Sequence, residues 1–360
     1  MVNRVLVWVI AAFFALGAVD YVLGGRLGLG GVFEKTLHKM GAVLLGVLGI
    51  YSLAPVAAQY VCAVVTPLAD FLHVDPSVFP AMLFPIDMGG YQLAISSARD
   101  PLVGQVSAVL TSSICGATVG YTITVAVTIL DKRHYPLLAR GMLSGMVGVP
   151  VGCLAGALLC GVPFLTAVVN TLPLCVLAAL LAWGLFKKPG LMTRLFVWLG
   201  RILTAFAVLG LTLQALQLLL KVTILPGMAD VSEGLTLVGS IVFMMAGAMC
   251  LLEVLRRVLK KPLGWVARKL GVNDTAIAGM LAASVSATLA FTQADDMDAR
   301  GLVVMCAFAA TAAHVIGGQL GVVASLAPDL VVPFVLSKLI AGVAGIAVAL
   351  LLTRREERAA

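Results

Sequence analysis

Charged residues are scarce in this 360-residue chain. Asp, Glu, Lys and Arg make up only 11% of it, whereas hydrophobic residues make up 61% and the mean hydropathy is +1.09. Soluble domains carry about a quarter charged residues. A soluble fold could not hide this much apolar surface, so the composition excludes a soluble globular protein. It predicts an all-α polytopic membrane protein whose loops are too short for any soluble domain.

Motifs of common enzymes and pumps are missing as well. No Walker A motif is present, which argues against ATP-driven pumping by this chain, and neither HExxH nor GxSxG occurs. The seven cysteines lie almost wholly in apolar runs without a CxxC pair or a Cys/His cluster. We therefore predict no disulfide, metal site, cofactor, catalytic residue or enzyme activity. The net charge of +7 comes from short loops and does not indicate nucleic-acid binding.

Long apolar runs are what the sequence does contain. Eleven segments separate the polar breaks, and most exceed the roughly 20 residues that a spanning helix needs. Segment 3 is unusual because Pro80, Pro85, Asp87, Gly89 and Gly90 interrupt it, and segment 9 is short and rich in Ser and Thr. Segments 1 to 11 cover residues 4–23, 38–62, 75–98, 102–130, 137–161, 163–186, 195–222, 234–258, 273–292, 300–327 and 331–353.

The two halves of the chain share a register of glycines at an offset of 198. Gly41 and Gly49 correspond to Gly239 and Gly247, and LHVDPSVFPAML (72–83) aligns with LGVNDTAIAGML (270–281). Segments 1–5 and 7–11 are therefore predicted to be two copies of one unit. The predicted divisions are 1–162 for the first repeat, 163–194 for a connecting helix and cytoplasmic loop, 195–354 for the second repeat and 355–360 for a basic cytoplasmic tail. Segment 1 corresponds to an internal helix, so we expect it to be retained.

The distribution of Lys and Arg distinguishes two topologies. If all eleven segments span the membrane, the basic loop after segment 8 and the basic C-terminus lie on opposite faces, against the positive-inside rule. If segments 3 and 9 are re-entrant, nineteen basic residues share one face, three lie on the other, and Arg201 and Lys338 lie within helices. This favours nine spans plus two re-entrant segments over eleven spans, with the N-terminus outside and the C-terminus cytoplasmic. Five spans then separate the copies, so the repeats are inverted, as in secondary transporters and some channels.

Asp87 is the main candidate for a functional group. A carboxylate at bilayer depth costs about 2.5–3.5 kcal/mol and needs a partner or water. It could serve a cationic substrate or carry a proton, or it could be a structural group that caps amides or pairs with a base. Apart from Arg99 at the margin, segments 2 to 4 contain no Lys or Arg, which favours the functional interpretation. Gly89 and Gly90 permit a sharp turn and a close approach of the backbone to a ligand.

Other polar and aromatic residues are candidates to line the same site. Tyrosine rings attract cations but also pack in cores, and serines in helices often bond to their own backbone instead of a ligand. His314 could respond to protons or be a satisfied polar residue in a helix interface. The predicted substrate-binding set is Asp87, Met88, Gly89, Gly90, Tyr91, Gln92, Tyr121, Ser284, Ser286 and Gln319.

Four motifs carry a resemblance to a known family. LAPV (53–56), DPSVFPAML followed by DMGG (75–90), GVPVGCLAGAL (148–158) and MDARG followed by CAFAATAA (297–313) are similar in order and spacing to the bacterial EutH family of ethanolamine-utilisation transporters. The resemblance implies facilitated or proton-influenced transport of ethanolamine, or of a related small amine or amino alcohol, across the bacterial inner membrane. The implied partners are a small cationic amine and membrane lipids, without nucleic acid, and a homo-oligomer stays open. A channel-like amine pore, an intramembrane lipid-acting enzyme and an amine sensor are the alternatives.

Overall fold

The computed structural model describes residues 2–38, 40–258 and 267–357. Its regular secondary structure in those ranges consists of helices, without a strand. Lys39, Lys260 and Lys261, which entered the charge argument, and residues 358–360 of the predicted basic tail lie outside the described residues. The α-helices are α1 (Val2–Val22), α2 (Gly30–Leu37), α3 (Met40–Val43), α4 (Gly49–Leu72), α5 (Val78–Leu83), α6 (Gly90–Ser97), α7 (Pro101–Val106), α8 (Ile123–Ile129), α9 (Tyr135–Leu159), α10 (Phe164–Lys187), α11 (Pro189–Leu220), α12 (Val231–Val258), α13 (Asp274–Val285), α14 (Ala287–Phe291), α15 (Ala299–Ala312), α16 (Gly318–Leu326) and α17 (Val331–Glu357).

Turns of π-helix join several of these helices, at Leu44–Leu48, Ser107–Gly116 and Thr118–Thr122. Such turns are often found at functional sites. Within the described ranges, seven helical stretches are long and apolar enough to cross a membrane, which confirms a multi-pass membrane protein. They are Leu44–Leu72, Pro101–Ile129, Lys132–Leu159, Phe164–Leu181, Val197–Leu220, Val231–Leu255 and Pro328–Thr353.

Two predicted boundaries were wrong. Segment 2 was predicted to end at residue 62, but its helix continues to Leu72, where His73 adopts a left-handed backbone with φ of 56°. Pro55 and Pro67 lie inside this helix without ending it. Segment 10 was predicted to be continuous over 300–327, but it is interrupted between Ala312 and Gly318. That interruption pairs with a neighbouring segment, as described below.

Residues 73–100, here named hairpin 1, connect α4 to α7, and the two ends of this segment lie next to each other. Asp75, near the start of hairpin 1, accepts hydrogen bonds from the backbone amides of Arg99 at 3.0 Å and Asp100 at 2.9 Å, near its end. The same carboxylate accepts from the Ser77 amide at 2.9 Å. Because charge-assisted bonds of this kind are strong, Asp75 closes the base of hairpin 1.

Residues 271–298, named hairpin 2, close in a related way. The Asn273 amide donates to Asp298 Oδ1 at 2.8 Å, and its side chain donates to the Asp296 carbonyl at 2.8 Å. Positions 75 and 100 of hairpin 1 correspond to 273 and 298 at the offset of 198. Asp100 and Asp298 also both cap the helix that follows. In both hairpins, hydrogen bonds from a backbone amide to a carboxylate therefore join the same pair of positions. The carboxylate is at the start of hairpin 1 and at the end of hairpin 2.

The bases of the two hairpins lie near opposite ends of α9. At the N-terminal end of α9, Arg133 and His134 contact Asp295 at the base of hairpin 2. Beyond the C-terminal end of α9, Asn170 of the next helix accepts a hydrogen bond from the Asp75 amide at 2.7 Å. A helix of 25 residues spans about 37 Å at 1.5 Å per residue.

Helix α9 also crosses α17 and α15 at the centre of the molecule. The crossing uses glycines because the backbones meet: a Cβ atom on Gly148 would lie 2.3 Å from the Ala341 carbonyl oxygen, and one on Gly145 would lie 2.7 Å from that of Ala307. Small residues are what allow helices to approach closely in membranes. Segments 5 and 11, which the sequence predicted to be matching elements, are thus in direct backbone contact.

Candidate functional site

The tip of hairpin 1 interrupts the helix at the place where the sequence predicted a break. Helix α5 ends at Leu83, Phe84 and Pro85 are extended, and residues Ile86–Met88 form one 3₁₀ turn. Gly89 follows with φ of 85°, a conformation that favours glycine, and α6 then begins. This local sequence places Asp87 at the tip, half-buried.

The Asp87 carboxyl group faces two side chains from the second half of the chain. The turn that carries it contacts α16, and the carboxyl group lies near the Gln319 side chain and within electrostatic range of the Lys338 ammonium. Gln319 is the second residue of α16, and Lys338 lies in α17. The interiors of segments 2 to 4 offer Asp87 no Lys or Arg, but Lys338 of segment 11 is a cationic neighbour.

Lys338 is buried, with 1% of its surface exposed. Its Nζ donates to the side-chain oxygen of Gln319 at 2.8 Å and to the carbonyl of Ala313, and it lies 5.5 Å from the centre of the Phe334 ring. Ala313 follows the last residue of α15, so its carbonyl belongs to the partially negative end of that helix. Gln319 uses its oxygen for Lys338, which leaves its NH₂ group for Asp87. The buried Lys338 and Gln319 and the half-buried Asp87 form a polar bridge between hairpin 1 and segments 10 and 11.

A second polar cluster lies where hairpin 2 meets segment 4. The Tyr121 hydroxyl is 3.2 Å from the Thr288 hydroxyl, and the Tyr121 ring packs edge-on against His314 at 5.4 Å between centroids. His314 Nε2 accepts from the Ala287 amide at 3.5 Å. Tyr121 is also within electrostatic range of Asp87, so the two clusters are neighbours.

The interruption of segment 10 is held by hairpin 2. The amides of His314 and Ile316 donate to the carbonyls of Ala283 and Ser284, both at 2.9 Å. Ser286, where the helix of segment 9 breaks, has an extended backbone. A Cβ atom on Gly317 would lie 2.0 Å from the Val285 carbonyl oxygen. The two broken segments therefore satisfy each other's backbone groups, which unwound backbone at membrane depth requires.

The predicted site residues occupy different surroundings. Gln319 joins Asp87, and Tyr121 joins the second cluster, whereas Ser284 donates back to the Met280 carbonyl of its own helix at 3.1 Å. The Tyr91 hydroxyl points to the Leu326 carbonyl at 3.5 Å. Gly89 packs against segment 2, because a Cβ atom there would lie 2.1 Å from Ile50. Gly90 is buried in the turn, and Met88, Gln92 and Ser286 are half-buried at or beside the two tips, with no mutual contact described.

A polar cleft of about 390 Å³ opens at the base of hairpin 1. An ion pair between Asp70 and Arg99 lies on its wall, with both side chains about half-exposed. The cleft is lined by Ala69, Asp70, His73, Val74, Asp75, Arg99, Asp100, Val103, Thr166 and Asn170. It is separate from the Asp87 bridge.

Comparison with known proteins assigns the family. The family "Ethanolamine utilisation protein, EutH" matches residues 2–352. The chain belongs to the EutH family. It is 37% identical to "Probable ethanolamine permease EutH" of Listeria monocytogenes over 98% of the chain and 95% of that protein. It is 35% identical to "Uncharacterized protein YxeR" of Bacillus subtilis over 98% and 95%, and 32% identical to "Probable ethanolamine permease EutH" of Salmonella typhimurium over 99% and 97%. No solved structure matches the chain.

Sequence reasoning about this EutH-family protein missed Lys338 as a site residue. The interiors of the segments adjacent to Asp87 contain no Lys or Arg, whereas Lys338 comes from segment 11. The signal was present, because a lysine inside an apolar helix is by itself a functional candidate. Thr288 and His314, which the predicted set does not include, both contact Tyr121.

The chemistry of these EutH residues suits a polar organic cation. Asp87 offers a negative charge, and Tyr121, Thr288 and His314 offer groups that donate or accept hydrogen bonds. Among the described residues, no group of three or more His, Cys, Asp or Glu side chains is placed to hold a metal ion. The arrangement places a carboxylate near neutral groups that donate and accept hydrogen bonds.

Proposed function

We propose that this protein transports ethanolamine, or a related small amine or amino alcohol, across the bacterial inner membrane. The observation that carries the proposal is Asp87, a carboxylate at the tip of a broken segment that lies beside a second broken segment in an apolar helical protein. The relatives named as probable ethanolamine permeases over nearly their whole length support this substrate. The chain acts as a transporter and not as an enzyme.

The ammonium group of the substrate binds Asp87, and its hydroxyl binds the neighbouring polar cluster. Ethanolamine is mainly a cation at neutral pH, so an otherwise apolar route requires a counter-charge. Tyr121 lies within electrostatic range of Asp87, and in this proposal Tyr121 and its neighbours Thr288 and His314 receive the hydroxyl end of the substrate. Of the further residues selected from the sequence, Met88, Gln92 and Ser286 border this region, and Ser284 contributes its backbone carbonyl to the fold.

The topology consists of nine spans and two re-entrant hairpins, in inverted repeats. The seven long helical stretches, together with segment 1 (α1) and the interrupted segment 10, give nine crossings. The closed base of each hairpin supports re-entry, and the separation of the two bases along α9 supports opposite directions of re-entry. With the basic loops cytoplasmic, the N-terminus lies outside and the cleft at the base of hairpin 1 faces the periplasm, where it serves as the access route.

Flux measurements on purified protein in liposomes test this proposal. Proteoliposomes should take up radiolabelled ethanolamine faster than empty liposomes, and uptake should saturate with concentration. Preloading with unlabelled ethanolamine should accelerate uptake of label, which a carrier does and a channel-like pore does not. Uptake equal to that of empty liposomes, with correctly inserted protein, would contradict the proposal. Binding without flux would instead identify an amine sensor.

A further inference from the structure

We infer that Lys338 is a tethered competitor of the substrate, whose ammonium group occupies the cation position opposite Asp87 and must be displaced when substrate binds. This inference rests on the proposed function and deepens it. It concerns which residue the substrate replaces, and it assigns a binding role to a residue of segment 11.

The charge balance of the site is the first argument. Lys338 is 1% exposed, and the ionisable groups that act on it are Asp87 from hairpin 1 and Cys153 from α9. With the ammonium and the carboxylate both present, the interior is neutral. A substrate cation beside them would leave one buried positive charge without a counter-charge, and uncompensated buried charges are strongly unfavourable. Substrate ammonium and Lys338 ammonium therefore exclude each other at Asp87, so the displaced lysine must release its proton to water as the substrate cation binds.

The chemistry of the lysine side chain is the second argument. It ends in a primary ammonium on an alkyl chain, which is the cationic half of ethanolamine. Its Nζ already has the partners that an ammonium needs, namely Gln319 Oε1 at 2.8 Å and the carbonyl of Ala313 at the end of α15. A substrate ammonium that displaces Lys338 finds the same oxygens around it.

Displacement would also change the contacts between the two repeats. Gln319 contacts Lys338 and lies near Asp87, so this bridge links hairpin 1 to α16 and α17, beside the contact of Tyr91 with Leu326. A substrate that takes the place of Lys338 breaks the noncovalent contact between α17 and hairpin 1. The substrate that replaces it is not part of α17 and can move independently of that helix. Binding would then favour a state in which hairpin 1 moves relative to α17, because a ligand shifts a conformational equilibrium by its differential affinity for the two states.

Affinity measurements on neutral variants test the inference. Lys338→Gln retains an NH₂ donor but removes the charge, and Lys338→Met retains the length. We expect either variant to bind ethanolamine at least ten-fold more tightly than wild type in calorimetry on detergent-purified protein. In an Asp87→Asn background, the same Lys338→Gln change should leave the affinity for ethanolamine unaltered, because the carboxylate for which substrate and Lys338 compete is absent. A purely structural lysine would shift affinity equally in both backgrounds.

The outcomes separate this inference from the proposed function. Wild-type protein that neither binds nor transports ethanolamine would refute the proposed function, whatever the variants do. Wild-type transport combined with equal or weaker binding by a folded Lys338→Gln or Lys338→Met protein would overturn the inference alone. If both neutral variants fail to fold while Lys338→Arg folds, the lysine is a structural cap of α15, and the inference is likewise overturned.

Discussion

Asp75 and Asp100 lie 2.9 Å apart, carboxylate oxygen to backbone nitrogen, although they begin and end the 73–100 hairpin. The same carboxylate accepts from Arg99 and Ser77. A single side chain therefore holds the two ends of the segment that carries Asp87. Its counterpart in hairpin 2 is the contact between Asn273 and Asp298.

Replacing Asp75 should destabilise hairpin 1 more than any exposed acid does. Asp75→Ala removes the acceptor of three backbone amides at a position only 8% exposed. Each buried donor left unsatisfied costs about 1–3 kcal/mol, so we expect a large drop in melting temperature and in uptake. The control is Asp70→Asn, whose side chain is 56% exposed and whose ion pair contributes about 0–1 kcal/mol. Equal melting temperatures for the two variants would contradict the assigned role of Asp75.

The crossing of α9 and α17 should not tolerate a larger residue. A Cβ atom on Gly148 would lie 2.3 Å from the Ala341 carbonyl oxygen, and backbone cannot move aside as a flexible side chain can. We expect Gly148→Leu to abolish folded protein and Gly148→Ala to lower the melting temperature. Gly239→Ala is the matched control, because a Cβ atom there meets nothing within 4 Å. Size-exclusion profiles and thermal melts of the three detergent-purified variants give the comparison.

The fold was largely accessible from the sequence, for identifiable physical reasons. Apolar runs located the long helices, and Pro85 together with Gly89 marked the break in hairpin 1, because each restricts or permits particular backbone angles. The break at Ser286 contains neither residue type. It is stabilised by hydrogen bonds from His314 and Ile316 to Ala283 and Ser284, a long-range pairing that local sequence does not encode. The interruption of segment 10 was missed for the same reason.

The site was only partly accessible. Asp87 stood out because a carboxylate in an apolar segment is costly, but its neighbours come from other segments. Lys338 lies in segment 11, far from Asp87 along the chain, and Gln319 comes near Asp87 because segment 10 restarts its helix at Gly318. Ser284 illustrates the converse, since a polar residue in a suggestive position bonds to its own helix. Without the fold, nothing distinguishes these two cases.

Acid should weaken the contact between the loop before α9 and hairpin 2. Hydrogen bonds from His134 and Arg133 lower the pKa of the Asp295 carboxyl below its ordinary value of 3.8. A carboxyl with a lowered folded-state pKa stabilises the fold above its unfolded pKa, and this contribution is lost as pH falls below about 4. We expect wild type to lose thermal stability slightly between pH 5 and pH 3 relative to Asp295→Asn. If the melting temperatures of the two proteins depend on pH in the same way, the contact contributes nothing to stability. The exposure of the Asp295 side chain is the reason to expect only a small effect.

Neutralising Asp87 should abolish transport. It should also lower the stability of the protein, because the buried Lys338 loses its nearby negative charge. Asp87→Asn preserves size and can still bond to Gln319, but it removes the counter-charge for substrate, so we expect uptake of labelled ethanolamine in proteoliposomes to fall at least ten-fold. Asp274→Asn makes the same charge change at an exposed position at the base of hairpin 2 and should leave uptake within two-fold of wild type.

The double variant Asp87→Asn/Lys338→Gln separates the two effects of Asp87. Removing the carboxylate leaves the buried Lys338 ammonium without a nearby opposite charge, and an uncompensated buried charge is destabilising. Asp87→Asn should therefore melt at a lower temperature than wild type, and the added Lys338→Gln change should recover much of that loss. Uptake should not recover, since the charge that binds the substrate is still missing. Recovered uptake in the double variant would show that Asp87 serves only to neutralise Lys338 and would remove it from the substrate site.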